Sequence, residues 1–439
     1  MNQVILPGAR SGNWTAVPSK SQLHRLLICA ALSNAPVTIT SGAAGADIDA
    51  TIRCLRALGA EITVGPQQIS VHGIGYAAEA PNTENSTVSN AVQKRPEVRL
   101  DVGESGSTLR FLLPIVGALG IPARIEMHGR LPQRPLEPLA GLLTAHGMHL
   151  YQNVGELAVS GQLNPGTFAI AGNVSSQYLS GLCFALPLLD GDSEIRLTTE
   201  LQSAPYLEMT QQAIARASVR IDPMDGGWRI SGRQQYRAPS GAAEGDWSNA
   251  AFPMCIGALG GSGVTVVGVR PDSAQGDRAI CAILRRFGAN VVESDHSVTV
   301  TPAALHGITI DAAAVPDLVP ALAAVAACAD GETHIVHAER LRLKESDRLH
   351  TVCAALTALG ASVTERPDGL TVRGTPRLRG GTVDGAGDHR IAMLAAVAAV
   401  RCNNSVTVCG AEAVAKSEPD FWDKFAQLET HTPPIEWRN

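Results

Sequence analysis

Ser19-Lys20-Ser21-Gln22-Leu23-His24-Arg25-Leu26-Leu27-Ile28-Cys29-Ala30-Ala31 decides the fold, because its plan is written six times along the chain. A short polar or acidic opening is followed by an Ala/Leu-rich helical run and then by a β-branched strand. The other openings are Glu104-Ser105-Gly106-Ser107-Thr108, Val174-Ser175-Ser176-Gln177, Asp246-Trp247-Ser248, Pro316-Asp317 and Asp388-His389-Arg390. They recur at a spacing of about 70 residues, and the first interval is longer by roughly 18, which reads as one inserted loop. Residues 78 to 97 supply it, with Pro81, Asn82, Ser86, Ser89 and Pro96 in a polar, aperiodic stretch. In the first unit Leu23, Leu26, Leu27, Ala30 and Ala31 form one apolar helical face.

A second marker keeps phase with the first. Each unit carries a helix that ends in Gly or a small residue before a strand, at Leu58-Gly59-Ala60, His146-Gly147-Met148, Ala217-Ser218-Val219, Phe287-Gly288-Ala289 and Leu359-Gly360-Ala361, with a weaker sixth near Leu428. Gly just past a helix end takes the left-handed conformation without a Cβ penalty. Six units of helix, strand, helix, strand therefore account for nearly all of the 439 residues. That length exceeds one hydrophobic core, so two domains of three units each are expected.

Composition narrows the partners. A net charge of −6 and only 4% aromatic residues offer neither a basic surface for phosphate tracking nor a stacking platform, which argues against nucleic acid. The nine cysteines are odd in number and scattered, and no CxxC occurs. They read as small buried hydrophobes in a reducing compartment, with no metal site. Met1-Asn2-Gln3-Val4-Ile5-Leu6-Pro7-Gly8 lacks the pattern of a secretory signal, and the apolar runs near Val319 to Ala329 and Ile391 to Val400 are short of the ~20 residues a bilayer needs. A cytoplasmic protein without membrane contact is expected.

The helix openings carry the chemistry. A helix N-terminus bears roughly half a positive charge and unpaired N–H donors, so several facing one cleft make an anion trap for a multiply negative ligand. Lys20, Arg25, Arg110, Arg134, Lys344, Arg348, Arg390 and Lys416 gather near these openings in an otherwise acidic protein. Arg134 sits in Gly129-Arg130-Leu131-Pro132-Gln133-Arg134-Pro135, where two prolines stiffen its mount. Of the polar residues Ser175, Ser176 and Gln177, one suffices as a helix cap and the other two call for partners.

Leu341-Arg342-Leu343-Lys344-Glu345-Ser346-Asp347-Arg348-Leu349 is the sharpest local signal, read as the start of a helix continuing through Cys353 and Leu356. Lys344 and Arg348 at i,i+4 repel by about 0.2–0.5 kcal/mol unless an anion or carboxylate sits between them. Asp317 and Asp388 are expected as N-caps of apolar helices, and either could also act as a base in a cleft whose cations lower its pKa. Glu345 beside Lys344 is a third candidate.

Together these segments resemble the 5-enolpyruvylshikimate-3-phosphate synthase family (3-phosphoshikimate 1-carboxyvinyltransferases) over essentially the whole chain. The matching segments, in family order, are Ser19 to Arg25, Gly103 to Arg110, Gln133-Arg134-Pro135, Val174 to Gln177, Pro316-Asp317, Arg342 to Leu349 and Gly387-Asp388-His389-Arg390-Ile391-Ala392-Met393. The resemblance implies an α/β fold of two similar domains, each of three βαβαββ units with helices inside a shell of sheets (an inside-out α/β barrel), and an active site in the interdomain cleft. It implies that residues 19–242 form one domain and 1–18 plus 243–439 the other. The implied reaction moves the enolpyruvyl group of phosphoenolpyruvate to the 5-hydroxyl of shikimate 3-phosphate and releases phosphate, with no metal or organic cofactor, in a monomer.

Carried over residue by residue, the resemblance implies a phosphoenolpyruvate site of Lys20, Gly106, Arg134, Gln177, Arg348, Arg390 and Lys416. The shikimate 3-phosphate site would comprise Lys20, Ser21, Arg25, Ser175, Ser176, Gln177, Ser203, Asp317 and Lys344. Asp317 would stand near the attacking hydroxyl, with Glu345 and Lys20 the candidates for protonating and deprotonating carbon. Gly106 implies that the herbicide glyphosate competes with phosphoenolpyruvate. Three positions depart from the family pattern: the first motif lacks a Gly before Ser19, and Glu104 and Arg340 each stand where many relatives have Asn. Two rivals are an enolpyruvyl transferase acting on a UDP-linked amino sugar and a non-catalytic anion binder. Lys20-Ser21 in place of Lys-Asn, and a loop Gly129 to Pro135 with neither Cys nor Asp, count against the first. The presence of Asp317, Glu345, Lys20 and Lys416 counts against the second.

Overall fold

The computed structural model describes residues 1–42, 45–75 and 96–431. The inserted loop expected at 78 to 97 lies outside the described residues except for its last two, which lead into the strand Val98–Gly103. The chain divides into two compact units, a continuous one of Lys20–Ala243 and a split one of Met1–Ser19 with Glu244–Asn439.

The continuous unit contains the helices α1 (Lys20–Ala31), α2 (Ala46–Ala57), α3 (Gly106–Leu119), α4 (Leu139–Ala145), α5 (Ser176–Ala185) and α6 (Ala204–Arg216). Three four-stranded sheets accompany them, and each has one order: a strand pairs parallel with its neighbour, which continues into an antiparallel hairpin. In the second sheet Val98–Gly103 runs parallel to Ala123–Met127, which is antiparallel to Glu156–Gly161 and through it to Met148–Asn153. In the first sheet the parallel edge is Gly241–Ala242, so the last residues of the unit complete the repeat that its first helix opens.

The split unit repeats the plan with α7 (Trp247–Leu259), α8 (Ile280–Phe287), α9 (Val319–Ala326), α10 (Arg348–Ala358), α11 (His389–Ala399) and α12 (Phe421–Gln427). Its sheets draw on both chain segments: Ala9–Thr15 pairs parallel with Gly263–Val267, and Asn2–Ile5 pairs antiparallel with Val406–Cys409.

Each unit has its own core. Every residue of α9 and α11 is buried, as is every residue of α7 except Ser248. Helices apolar all round belong in an interior. α7, α9 and α11 pack on one another, while strands such as Val37–Thr40 alternate buried and more exposed positions. The outcome is helices inside and half-wetted sheets outside, the inversion that the family resemblance implied. The glycine markers behave as expected: Gly59, Gly147, Gly288 and Gly360 all have positive φ at helix ends, and Ser218 takes the same conformation at φ 64°.

Candidate active site

Residues singled out in the sequence collect at helix starts in each unit. In the continuous unit Lys20 opens α1, and its Nζ donates to Asp47 Oδ2 at 2.9 Å in the first turn of α2. Deeper in, His24 Nδ1 meets Thr51 Oγ1 at 2.7 Å, and Thr51 Oγ1 lies 2.7 Å from Thr108 Oγ1, which donates to Ser105 Oγ at 2.8 Å. Ser105 also caps α3 by accepting from Thr108 N. Burial pushes the His24 imidazole down to about 3, against the upward pull of Asp47, so this chain of hydrogen bonds is neutral at its inner end. It locks the starts of α1, α2 and α3 together.

Arg25 is buried, and its Nε donates to Thr210 Oγ1 at 2.8 Å, its Nη1 to the Ser21 carbonyl at 2.5 Å and its Nη2 to the Tyr206 carbonyl at 2.7 Å. Burial pulls the Arg25 guanidinium down to about 10, which leaves it cationic at neutral pH. Arg110 Nη1 donates to Gln177 Oε1 at 3.3 Å and its Nη2 to the Pro135 carbonyl at 2.9 Å. Gln177 in turn donates to Ser107 Oγ at 2.9 Å. Ser175 is the cap of α5, accepting from Gln177 N, so of the three polar residues there one caps and Gln177 is partnered as anticipated. Arg110 and Gln177 thus tie the α3 start, the α5 start and the Arg134 loop into one frame. A Cβ placed on Gly106 would lie 2.5 Å from Arg110 Nη1 and 2.8 Å from Arg134 Nη1, so only Gly lets both guanidinium groups approach this backbone. Ser203 is buried at the start of α6 with φ 55°, a conformation a non-glycine residue holds only where its surroundings fix it.

In the split unit acids and cations interlock. Asp317 Oδ1 accepts from Arg348 Nη1 at 2.8 Å and from Lys344 Nζ at 3.3 Å, while Arg390 Nη2 lies 3.5 Å from its Oδ2. Arg348 is 1% exposed and also donates to Asp388 Oδ2 from Nε at 2.8 Å and to Glu345 Oε2 from Nη2 at 2.7 Å. Arg390 is fixed by donating to Ser248 Oγ at 2.9 Å and to the Asp317 carbonyl at 3.0 Å. Ser248 then donates to Asp246 Oδ1, the cap of α7, at 2.7 Å. Burial pushes the Asp317 carboxyl upward, but Arg390, Lys344 and Arg348 outweigh it and hold the group well below the ordinary carboxylate range. Burial lowers Lys344, and Asp317 offsets part of that. For Arg348 burial alone would lower the guanidinium, yet Asp388, Glu345 and Asp317 raise it above its ordinary value. Lys416 ends the 3-10 helix Ala411–Lys416, and the next residue, Ser417, donates to Asn249 Oδ1 in the first turn of α7 at 3.3 Å.

Two sequence expectations are corrected. Asp317 is not a helix cap: it lies inside a 3-10 turn, Pro316–Leu318, before α9 begins at Val319, and its carboxylate is drawn to the cations instead. Asp388 does cap α11, accepting from Arg390 N. Lys344 and Arg348 do not share one helix, because Glu339–Leu343 is a 3-10 helix, Lys344 is extended, and α10 starts at Arg348 behind the Asp347 cap. A carboxylate nevertheless sits between the two cations as their repulsion demands, and it is that of Asp317. Asp47 and Ser248 were missed as partners, and Asp347 as a helix cap. For Asp347 a signal existed, a cap residue three positions before His350; for Asp47 the sequence offers only an acid in a helix first turn.

A profile of the family described as EPSP synthase (3-phosphoshikimate 1-carboxyvinyltransferase) matches residues 7–425. The chain belongs to that family. A 3-phosphoshikimate 1-carboxyvinyltransferase of Clostridium kluyveri is 39% identical over 429 residues, covering 97% of this chain and 96% of the relative. One from Clostridioides difficile is 37% identical over 430 residues, with 97% and 96% covered. In structure, EPSP synthase from Acinetobacter baumannii superposes with a TM-score of 0.77 at 23% identity, covering 98% of this chain and all (100%) of that one. The enolpyruvyl transferase NikO from Streptomyces tendae gives 0.72 at 19% identity, covering 98% and 99%. These two likenesses establish the fold, two domains of helices within sheets.

Proposed function

We propose that the protein transfers the enolpyruvyl group of phosphoenolpyruvate to the 5-hydroxyl of shikimate 3-phosphate and releases phosphate, a transferase step of the shikimate pathway toward aromatic amino acids. Family membership along nearly the whole chain carries this reading. No helix among the described residues is long and apolar enough to cross a membrane, and the nine cysteines are free thiols, which fits a protein working on small molecules in the reducing cytoplasm.

The chemistry suits the residues. The hydroxyl oxygen attacks C2 of phosphoenolpyruvate as a proton is delivered to the C3 methylene, giving a tetrahedral intermediate that keeps the phosphate. Loss of phosphate and of a C3 proton then restores the enol ether. In this reading Lys20, Gly106, Arg134, Gln177, Arg348, Arg390 and Lys416 contact phosphoenolpyruvate. Lys20, Ser21, Arg25, Ser175, Ser176, Gln177, Ser203, Asp317 and Lys344 contact shikimate 3-phosphate. Fixed cations and helix N-termini hold the anionic groups and the charge that develops on the departing phosphate. Asp317 is held ionised throughout the neutral range, so it orients the hydroxyl and takes its proton only as the new C–O bond makes that proton acidic. Glu345 and Lys20 handle the proton on carbon.

The test is phosphate release from phosphoenolpyruvate with shikimate 3-phosphate or UDP-N-acetylglucosamine as acceptor. Turnover with the first alone is expected. Turnover with the amino sugar, or binding of both substrates without phosphate release, would overturn the reading.

A further inference from the structure

We infer that Glu418 is a positioning residue for Lys416, and that its uncharged carboxyl holds the turn that presents Lys416 beside the start of α7. The inference rests on the proposed function, in which Lys416 contacts phosphoenolpyruvate.

Glu418 is wholly buried, at 0% exposure, two residues after Lys416. Its Oε1 accepts from Trp14 Nε1 at 3.0 Å and from Lys424 Nζ at 2.9 Å, whereas its buried Oε2 has no hydrogen-bond partner. The backbone N–H groups of Ser417 and Glu418 both donate to the Val414 carbonyl, at 3.1 and 2.9 Å, and Phe421 N donates to the Glu418 carbonyl at 3.1 Å. The carboxyl is therefore the inner anchor of the turn whose outer member is Lys416, and the buried Ser417 between them reaches Asn249 on α7. The Trp14 ring that donates to the carboxyl packs on Phe421, with ring centroids 5.3 Å apart.

The charged groups around it are few. Lys424 faces it from α12 and is shared with Asp420 at 3.1 Å. Arg10, on the strand that carries Trp14, lies over the Phe425 ring at 4.1 Å. α11, against which the Lys416 turn packs, bears His389 and Arg390 at its start. One ammonium shared between two acids leaves the buried carboxylate under-compensated. Burial pushes the Glu418 carboxyl up to about 7, against the pull of Lys424 and the Trp14 hydrogen bond, with Asp420 adding to the rise. An ionised Oε2 without a donor is costly in this apolar setting, so loss of the proton strains the turn and shifts Lys416.

The experiment compares the KM for phosphoenolpyruvate of the unaltered enzyme with that of Glu418→Gln, a neutral isostere, from about pH 6 to about pH 8.5. Their ratio, unaltered over variant, should rise by about threefold or more through one ionisation near neutrality, while the KM for shikimate 3-phosphate shows no such rise. A second variant, Lys424→Met, removes the cation that lowers the Glu418 pKa, so the inflection in the KM for phosphoenolpyruvate should move to higher pH. A role confined to holding the fold would not move it. Thermal midpoints give a reading that needs no activity: a carboxyl raised in the folded state loses its stabilisation as pH rises from its ordinary value through the folded value of about 7, so Glu418→Gln should gain on the unaltered protein across that window and hold a constant lead above it. A flat KM ratio in an enzyme that turns over, or an unmoved inflection in Lys424→Met, overturns the inference. Absence of turnover in the unaltered enzyme removes the proposed function, and this inference with it.

Discussion

The continuous and split units meet the same problem, buried cations at helix starts, with different chemistry. In the continuous unit Arg25 rests on a hydroxyl and two carbonyls, and Arg110 on an amide and carbonyls. In the split unit Arg348 meets three carboxylates, those of Asp317, Glu345 and Asp388. Neutral acceptors orient a cation and leave its charge uncancelled, which suits holding an anion. Carboxylates cancel charge and supply groups able to accept or give a proton. In the proposed reaction these two arginines of the continuous unit thus serve to hold anions, whereas the cluster around Arg348 in the split unit joins cations to groups able to move a proton.

The sharpest way to break this contrast is Arg348→Met. Three carboxylates would lose a shared buried cation, and a loss of about 3–5 kcal/mol is expected, measured by urea unfolding. Arg25→Met leaves uncharged acceptors behind, so a smaller loss of about 1.5–3 kcal/mol is expected from the same measurement. Equal losses would show that the two clusters are electrostatically alike.

Asp317→Asn should lower kcat by roughly 10²–10⁴-fold. Its stability effect has a defined sign with pH. The Asp317 carboxyl lies below its unfolded value, so its stabilisation is complete above the ordinary carboxylate pKa of about 4 and is lost as pH falls toward the folded value. The stability gap between the unaltered protein and Asp317→Asn should accordingly shrink below about pH 4, checked by denaturant titrations across that window. A gap that widened on acidification would contradict the assigned ion pairs.

The smallest expected change in stability comes from Gly106→Ala. The added Cβ meets side-chain tips, those of Arg110 and Arg134, rather than backbone, so a cost near 1 kcal/mol is expected. Moving Arg134 should weaken both phosphoenolpyruvate and glyphosate, each by about tenfold. Competition assays measure both, and unchanged inhibition would show that Arg134 does not serve the ligand.

Where the sequence was legible, the signals were local. The caps at Ser105, Ser175, Asp246 and Asp388, and the left-handed glycines at helix ends, depend on a few adjacent residues, so the repeat could be read directly. Misreadings arose where a distant partner outbid a local one. Asp317 looked like a cap because it precedes an apolar run, yet three cations from other segments claim its carboxylate. The Lys344 and Arg348 spacing looked helical because the cap signal of Asp347, which restarts the helix at Arg348, was passed over. Asp47 is 27 residues from Lys20, and only the packing of α1 against α2 joins them.

The split unit also records how such a chain can be assembled. Ser19 N donates to the Glu244 carbonyl at 2.7 Å, and Pro18 forms a bridge with Gly245, so the two ends that flank the 20–243 segment lie side by side. The intervening segment behaves as a cassette, clipped into a host whose reading frame could be closed by a short splice from Ser19 to Glu244. Its removal would leave a host with all three of its own sheets and helix sets, which makes each half a separable part for gene-level recombination.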